Sequence, residues 1–505
     1  MKPHSGFKHD FSYIRMASYS SIIKSTGLVG LAQAFKLFFG LLQSKILAVL
    51  VGTAGFGIWS LFNTFVQTVS SFSTLGIDQA GVRQVSKNSE DKKLLGESIY
   101  VFRTLLLFLS TATVVLICIF RKEVSLNLLG DEKYSWSIVV VSLAIFLNGL
   151  SQGCMSVLNG LRKLKEMVKS QIAGYSVGMI GSVIFVLALG TEGISWFIFA
   201  SSLSVFVLSY YYFRKQKLTI ARVSFRQFYS ESKVLFSIGI AIAYSALIVA
   251  VSTYMSQVYI RQEFGLEWVG IYNASNTISS VYINVFLSAM GVDLMPRLAK
   301  LISQEKAMGR LICDQMELGV LASTVGIIAV LLFAPLIIQI LYTSEFLPAT
   351  NVMRWHILSV SLKVLSYPMS YAVIVRQKTW QYIAIQTILW GGSYVLLILF
   401  TKLWGTSALG ANFLFAFVVY IIFLFILNRR LLIISPLLKK LLAMSWGMII
   451  ALMVLNEFFP PVVFHVLGGV LLIADIVWIF YVCRNYMDID IVTLIKQRLH
   501  KNKNK

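Results

Sequence analysis

The chain has 505 residues, of which 57% are hydrophobic and only 13% charged, and its mean hydropathy is +0.77. Soluble domains carry about a quarter charged residues, so the composition excludes a soluble globular enzyme. The formal net charge of +22 would suit nucleic acid if it formed a patch, but it is spread over short loops between apolar stretches, and no nucleic-acid partner is expected.

In chain order, residues 1–18 are polar, and residues 1–24 read as a cytoplasmic N-terminal segment. Lys24 and Lys36 interrupt the first apolar stretch, so it lacks the clean apolar core of a cleaved signal peptide. Helices are predicted over 25–47, 56–76, 97–119, 136–158, 169–190, 194–213, 235–259, 269–291, 316–341, 352–375, 380–402, 407–427, 440–457 and 462–482. Each is about 20 residues long, the length a helix needs to cross a ~30 Å hydrocarbon core. The fold class is therefore an all-α polytopic membrane protein with about 14 transmembrane helices. The predicted organisation is a six-helix bundle over 25–213, a basic cytoplasmic linker over 214–234 and a second six-helix bundle over 235–427. Accessory helices 13 and 14 occupy 428–482, and a basic cytoplasmic tail covers 483–505.

With the N-terminus in the cytoplasm, about 34 of the 44 basic residues fall on the cytoplasmic side. The opposite side has Lys45, Arg121, Lys122, Lys133, Arg261 and Lys402. This positive-inside asymmetry places both termini in the cytoplasm. No G-x-x-x-x-G-K-[ST] loop is present, and the four cysteines are too scattered for a metal site. Asp488-Ile489-Asp490 has the D-x-D form of a metal-binding motif, but it stands alone in the tail and reads as solvated surface.

An internal repeat runs through the spans. Residues 264–277, FGLEWVGIYNASNT, echo residues 51–64, VGTAGFGIWSLFNT. Gly76-Ile77-Asp78 is echoed by Gly291-Val292-Asp293, and Leu128-Leu129-Gly130 by Ile340-Leu341-Tyr342. Arg162 falls opposite Arg376. The offset of about 212–215 residues is six helices, an even number, so the halves share one orientation and are related by an axis along the membrane normal. Two such bundles facing each other are expected to leave a central cleft for substrate.

The 6+6+2 layout resembles the multidrug/oligosaccharidyl-lipid/polysaccharide (MOP) exporter superfamily, and within it the Wzx-type flippases for O-antigen and related polysaccharide repeat units. The residues that carry the likeness are Lys45-Ile46-Leu47-Ala48 through Gly52, Gly55 and Gly57-Ile58, then Val269-Gly270-Ile271-Tyr272-Asn273-Ala274. Pro296-Arg297-Leu298 and Ala334-Pro335-Leu336-Ile337-Ile338 through Leu341-Tyr342 complete it. The likeness extends to about residue 430 and implies two V-shaped lobes alternating between inward-open and outward-open states. It implies an undecaprenyl-diphosphate-linked glycan as substrate, moved to the periplasmic leaflet of the bacterial inner membrane. Membrane lipids and a polysaccharide polymerase or ligase are the other partners implied.

Charged groups at the membrane midplane cost about 2.5–3.5 kcal/mol on insertion scales, so each needs a cavity, a partner or a function. Lys36 in helix 1 and Lys363 in helix 10 are central and point to a cationic, substrate-binding cleft for a diphosphate. Arg103 and Arg354 lie nearer helix ends, where binding and snorkelling are both open readings. Polar stripes include Gln33 beside Lys36, Asn63 and Gln67 in helix 2, and Asn276 and Asn284 in helix 8. They would bond sugar hydroxyls or, equally, glue helices together. His356 and Tyr367 are placed on the Lys363 face. Asp78 with Arg83 and Asp293 with Arg297 occupy repeat-related ends; with Arg162 and Arg376 they form either a cytoplasmic gate or ordinary interfacial charge.

Basic rather than acidic central charges argue for an anionic substrate and against a multidrug antiporter. A peptidoglycan-precursor (lipid II) flippase shares these features. A membrane glycan polymerase or ligase would need a larger outer loop than residues 120–135 provide. The chain is thus expected to be a transporter and not an enzyme. It needs no cofactor or metal, and its driving force is open between a proton gradient, a sodium gradient and consumption of product.

Overall fold

A computed structural model describes residues 7–486 except 433, with side chains described from Phe35 onward apart from a few helix positions, Lys36 and Asp293 among them. Among the described residues the chain is helical throughout, with no strand. The helices are α1 (Phe7–Thr74), α2 (Ile77–Lys87), α3 (Lys92–Ile119), α4 (Arg121–Leu129), α5 (Ser135–Gly160), α6 (Leu164–Leu189), α7 (Gly193–Arg214) and α8 (Phe225–Phe264). They continue as α9 (Leu266–Lys300), α10 (Glu305–Leu332), α11 (Ala334–Leu341), α12 (Ala349–Val375), α13 (Thr379–Trp404), α14 (Ala411–Asn428), α15 (Pro436–Phe458) and α16 (Pro461–Tyr486). All fourteen predicted spans fall on this helical frame, and 11 helical stretches are long and apolar enough to cross a membrane among the described residues.

Local sequence sets the boundaries. Asp91 caps α3 by accepting from the backbone N–H groups of Lys93 and Leu94 at 2.8 and 3.1 Å. Ser435 caps α15 in the same way through Leu438 at 2.9 Å, with Pro436 in the first turn, where a missing N–H is harmless. The long first helix is two helices joined at Gly52, whose φ of 62° and ψ of −167° lie in a region essentially closed to other residues. Gly265 separates α8 from α9 in the same conformation, φ 88° and ψ 175°.

That pair is one of several. Phe120 ends α3 at φ −96°, ψ 24°, and Phe333 ends α10 at φ −102°, ψ 15°. Gly190 after α6 has φ 59°, ψ −134°, and Gly405 after α13 has φ 59°, ψ −143°. The sequence repeat is therefore a repeat of backbone geometry at the same offset. It also corrects one pairing: the left-handed residue after α5 is Arg162 (φ 56°) and its counterpart after α12 is Gln377 (φ 56°), so Arg162 is matched by Gln377 and not by Arg376.

The chain forms two compact units, Met1–Gly270 with Leu341–Glu345, and Ile271–Ile340 with Phe346–Lys505. The first has a core that includes Ile77, Val85, Ile99, Phe102, Leu106, Val157 and Phe213, drawn from α2, α3, α5 and α7. Helix α8 belongs to this unit, and its polar side chains show why. Ser60 and Thr64 both donate to the Gln257 side-chain oxygen, at 3.2 and 2.9 Å. Thr68 donates to the Ala250 carbonyl at 3.1 Å, and Arg261 donates to the Asn127 carbonyl at 2.9 Å, near the end of α4.

The second unit has two cores. One gathers Leu294, Leu298, Met316, Met369, Phe417 and Leu424. The other gathers Ile327, Leu331, Ile357, Val364, Ile449 and Phe464 and so draws in α15 and α16. Thr324 of α10 donates to Ser445 of α15 at 2.8 Å, and the Ser435 hydroxyl bonds the buried Glu317 carboxylate. In α16, Asp475 is 2% exposed and its Oδ2 has no partner among the described residues.

Candidate functional site: an amide-lined cavity and a paired lysine

The first unit encloses a polar cavity of about 590 Å³ between the second half of α1 and helices α5, α6 and α7. Side-chain amides dominate its wall: Gln43, Asn63, Gln67, Asn148, Gln152 and Gln171. Hydroxyls from Ser70, Ser71, Thr74, Ser151, Ser201 and Ser202 fill the spaces between them, and Trp59 and Tyr175 supply aromatic faces. Asp78, at the start of α2, is the only charged lining group among the described residues. Burial raises the Asp78 carboxyl above its ordinary 3.8, opposed by hydrogen bonds from the Gln79 and Asp78 backbone and the Gln79 side chain.

An amide offers two donors and two acceptor lone pairs, and a hydroxyl one donor and two acceptors. A wall of such groups matches a solute carrying many hydroxyls and amides, and apart from Asp78 it is uncharged among the described residues.

Asn63 and Gln67 thus meet in one cavity with Asp78. Gln33 and Lys36 lie, as side chains, outside the described residues, although Gln43, further along the same helix, reaches the wall. Asn148 with Gln152 on α5, and Gln171 with Tyr175 on α6, are site residues that the sequence reading missed. Their signal was available: each is a polar pair four residues apart inside an apolar span, the spacing that puts two side chains on one helix face.

In the second unit, Lys363 of α12 donates to the Asn284 side-chain oxygen of α9 at 3.0 Å. One and two turns further along α12, Tyr367 and Tyr371 share a hydrogen bond at 3.0 Å, and both hydroxyls lie against Gly291 of α9, where a Cβ would come within 2.4 Å of Tyr367 Oη. Asn276, on the same helix, accepts from Ser280 at 3.3 Å. His356, placed with Lys363 by spacing, is instead core: 2% exposed, hydrogen-bonded through Nδ1 to Ser275 at 2.9 Å and packed edge-on against Tyr272 and Phe413.

The remaining predicted residues are dispersed. Arg103 lies over the Phe213 ring, 4.6 Å from its centroid, in a separate pocket of the first unit. Arg354 donates to Asn351 at 3.1 Å and to Asn456 of α15 at 2.7 Å. Arg83 and Arg162 are exposed, and Asp78 and Arg83 form no ion pair. Arg297 lines an open basin with Lys306, Arg310 and Asp314, while Arg376 caps α12. The Asp293 side chain lies outside the described residues.

Residues 22–302, more than half of the chain, match the family model described as polysaccharide biosynthesis protein. The chain belongs to that family. It is 20% identical to the lipid III flippase of Escherichia coli (strain K12) over 394 residues, which is 77% of this chain and 93% of the relative. Its fold is that of the lipid II flippase MurJ in an inward closed conformation, with a TM-score of 0.70 at 14% identity, covering 92% of this chain and all of the other. An inward-facing multidrug resistance MATE transporter of the MOP superfamily matches with a TM-score of 0.64 at 14% identity, covering 81% of this chain and 96% of the transporter. This member of the polysaccharide biosynthesis family is thus a multi-pass membrane protein that shares its fold with a lipid II flippase and a multidrug transporter.

Proposed function

We propose that the chain flips a polyprenyl-diphosphate-linked oligosaccharide, an O-antigen or related surface-polysaccharide repeat unit, from the cytoplasmic to the periplasmic leaflet of the bacterial inner membrane. The observation that carries the reading is the amide- and hydroxyl-lined cavity of the first unit, whose many neutral donors and acceptors match a glycan, with Asp78 the one charged lining group among the described residues. Lys363, held by Asn284 and the only lysine within α12, offers a positive charge for the diphosphate. The prenyl chain stays in lipid while the polar head passes through protein, so the reading needs no bound cofactor. The positive-inside pattern supports cytoplasmic termini, and the repeat suits alternating access, with a proton or sodium gradient as a candidate drive. Asp78, Asp293 and the neighbouring arginines remain the proposed cytoplasmic gate, to be tested by charge reversal at Asp293.

The test is the sidedness of the lipid-linked saccharide in cells lacking the protein, read with a membrane-impermeant lectin on spheroplasts and inverted vesicles. Wild type should move the saccharide outward. Lys363→Ala and the double variant Asn63→Leu/Gln152→Leu should each leave about tenfold more of it facing inward at equal protein level, the effect expected for losing a charge-assisted or several neutral hydrogen bonds. If sidedness is unchanged and only glycan length shifts, the flippase reading fails and a polymerase or ligase role takes its place.

A further inference from the structure

Arg103 stands apart from the amide cavity and has a site of its own. Its pocket, about 300 Å³, lies between α3, α5 and α7 and is walled by Tyr100, Thr104, Leu107, Cys154, Phe206 and Ile220. The guanidinium rests on the face of Phe213 and makes no hydrogen bond among the described residues. Its N–H donors need acceptors, and beside the apolar side chains the wall offers them the Tyr100 and Thr104 hydroxyls, so an acceptor from outside the chain fits there.

Three observations say what that partner is. Phe213 is in the last turn of α7, so Arg103 lies level with the helix end on the side of the basic loops, at headgroup depth. The rim is open toward lipid: Leu107 is 46% exposed and Ile220 41%, and on the same face of α3 Phe108 is 68% exposed. The segment after α7 closes the pocket from the aqueous side, with the Thr219 carbonyl packed on Gly96 of α3, and it carries exposed Lys215, Lys217 and Arg222, next to exposed Arg214 at the end of α7. A cation at headgroup depth, an apolar groove below it and a basic strap above it form a binding site for one anionic phospholipid.

We propose that this pocket holds an anionic phospholipid of the leaflet on the basic side, its phosphodiester paired with the Arg103 guanidinium and its acyl chain laid along Leu107 and Phe108. A single guanidinium matches the one charge of a phosphodiester, and a planar fork can take two of its oxygens at once. The wall, with Tyr100 and Thr104 its only hydroxyl side chains, offers little to an oligosaccharide, which has its own cavity elsewhere in the unit. The inference is independent of the transport reading.

The experiment is native mass spectrometry of the purified full-length protein exposed to equal amounts of phosphatidylglycerol, phosphatidylethanolamine and undecaprenyl phosphate. Wild type should retain phosphatidylglycerol selectively. Arg103→Gln should lower that retention about tenfold, the loss of one charge-assisted pair, and Arg103→Lys should restore part of it. Ile220→Trp, which fills the pocket from the exposed strap and leaves the charge in place, should also lower it and keeps the test open should Arg103→Gln fail to fold. Equal retention of the phosphatidylethanolamine, retention of undecaprenyl phosphate in place of phosphatidylglycerol, or unchanged binding in both Arg103→Gln and Ile220→Trp would each overturn the proposal.

Discussion

At the scale of single residues, position along a helix predicted where some side chains lie and not others, and side-chain length explains the difference. Asn63 and Gln67 carry their amides on shorter stems than an arginine has, so the groups end nearer the face their Cα selects, and spacing put both on a cavity wall. Arg103 and Arg354 have long stems that carry the charge sideways to whatever partner the fold provides, a phenyl ring in one case and an asparagine of α15 in the other. Asp78 is predicted from its chemistry more sharply than from its place. Its folded-state carboxyl is raised by burial above the ordinary 3.8, so at a pH between the two values the folded protein binds the proton more than the unfolded chain does. The stability linked to this group is fully present below the unfolded value and is lost as pH rises through the folded one. Asp78→Asn should therefore gain in melting temperature relative to wild type as pH rises from about 4 to about 7, measured in one detergent at fixed salt. A difference that stays constant across that range would place the pH dependence elsewhere.

At the scale of elements, the helix breaks carry the repeat more faithfully than the helices do. An apolar span tolerates exchange of one aliphatic residue for another, so the two halves drift in sequence. A residue at φ 62°, ψ −167° is held to glycine by sterics, and Gly52 and Gly265 have kept that conformation in both halves. This is why the first echo visible in the sequence surrounds these glycines. The pairing of Arg162 with Arg376 slipped by one residue because chemistry was matched where backbone geometry was the shared feature. Gly52→Ala and Gly265→Ala should each destabilise the protein by about 1–3 kcal/mol, seen as a lower midpoint of thermal unfolding. Gly447→Ala in α15, where an added Cβ meets nothing within 4 Å and the backbone is helical, should be neutral or slightly stabilising, as helix propensity favours alanine by about 1 kcal/mol. Equal losses at all three positions would show that the conformational argument does not apply.

At the scale of the molecule, hydropathy and charge asymmetry were enough to read an all-helical membrane protein, because a bilayer admits few other solutions. Membership of each packed unit was not legible, since it depends on contacts between distant side chains: Gln257 ties α8 to the second half of α1 within the first unit. The C-terminal pair, outside the repeat, illustrates the same point. It is bound into the second unit by the Thr324–Ser445 bond, by Ser435 on Glu317, and by Arg354 on Asn456. Arg354 also lines a pocket of about 400 Å³ with Trp355, Glu457 and Phe464, so its charge is engaged with α15 and away from Lys363. A strut and a substrate ligand are distinguishable by experiment. If Arg354 is a strut, Arg354→Gln and Asn456→Ala should each lower the unfolding midpoint, and the double variant should fall no further than the worse single one, because both remove the same bond. Saccharide translocation per folded molecule should be unaffected in all three. A fall in translocation at unchanged stability would instead return Arg354 to the substrate path.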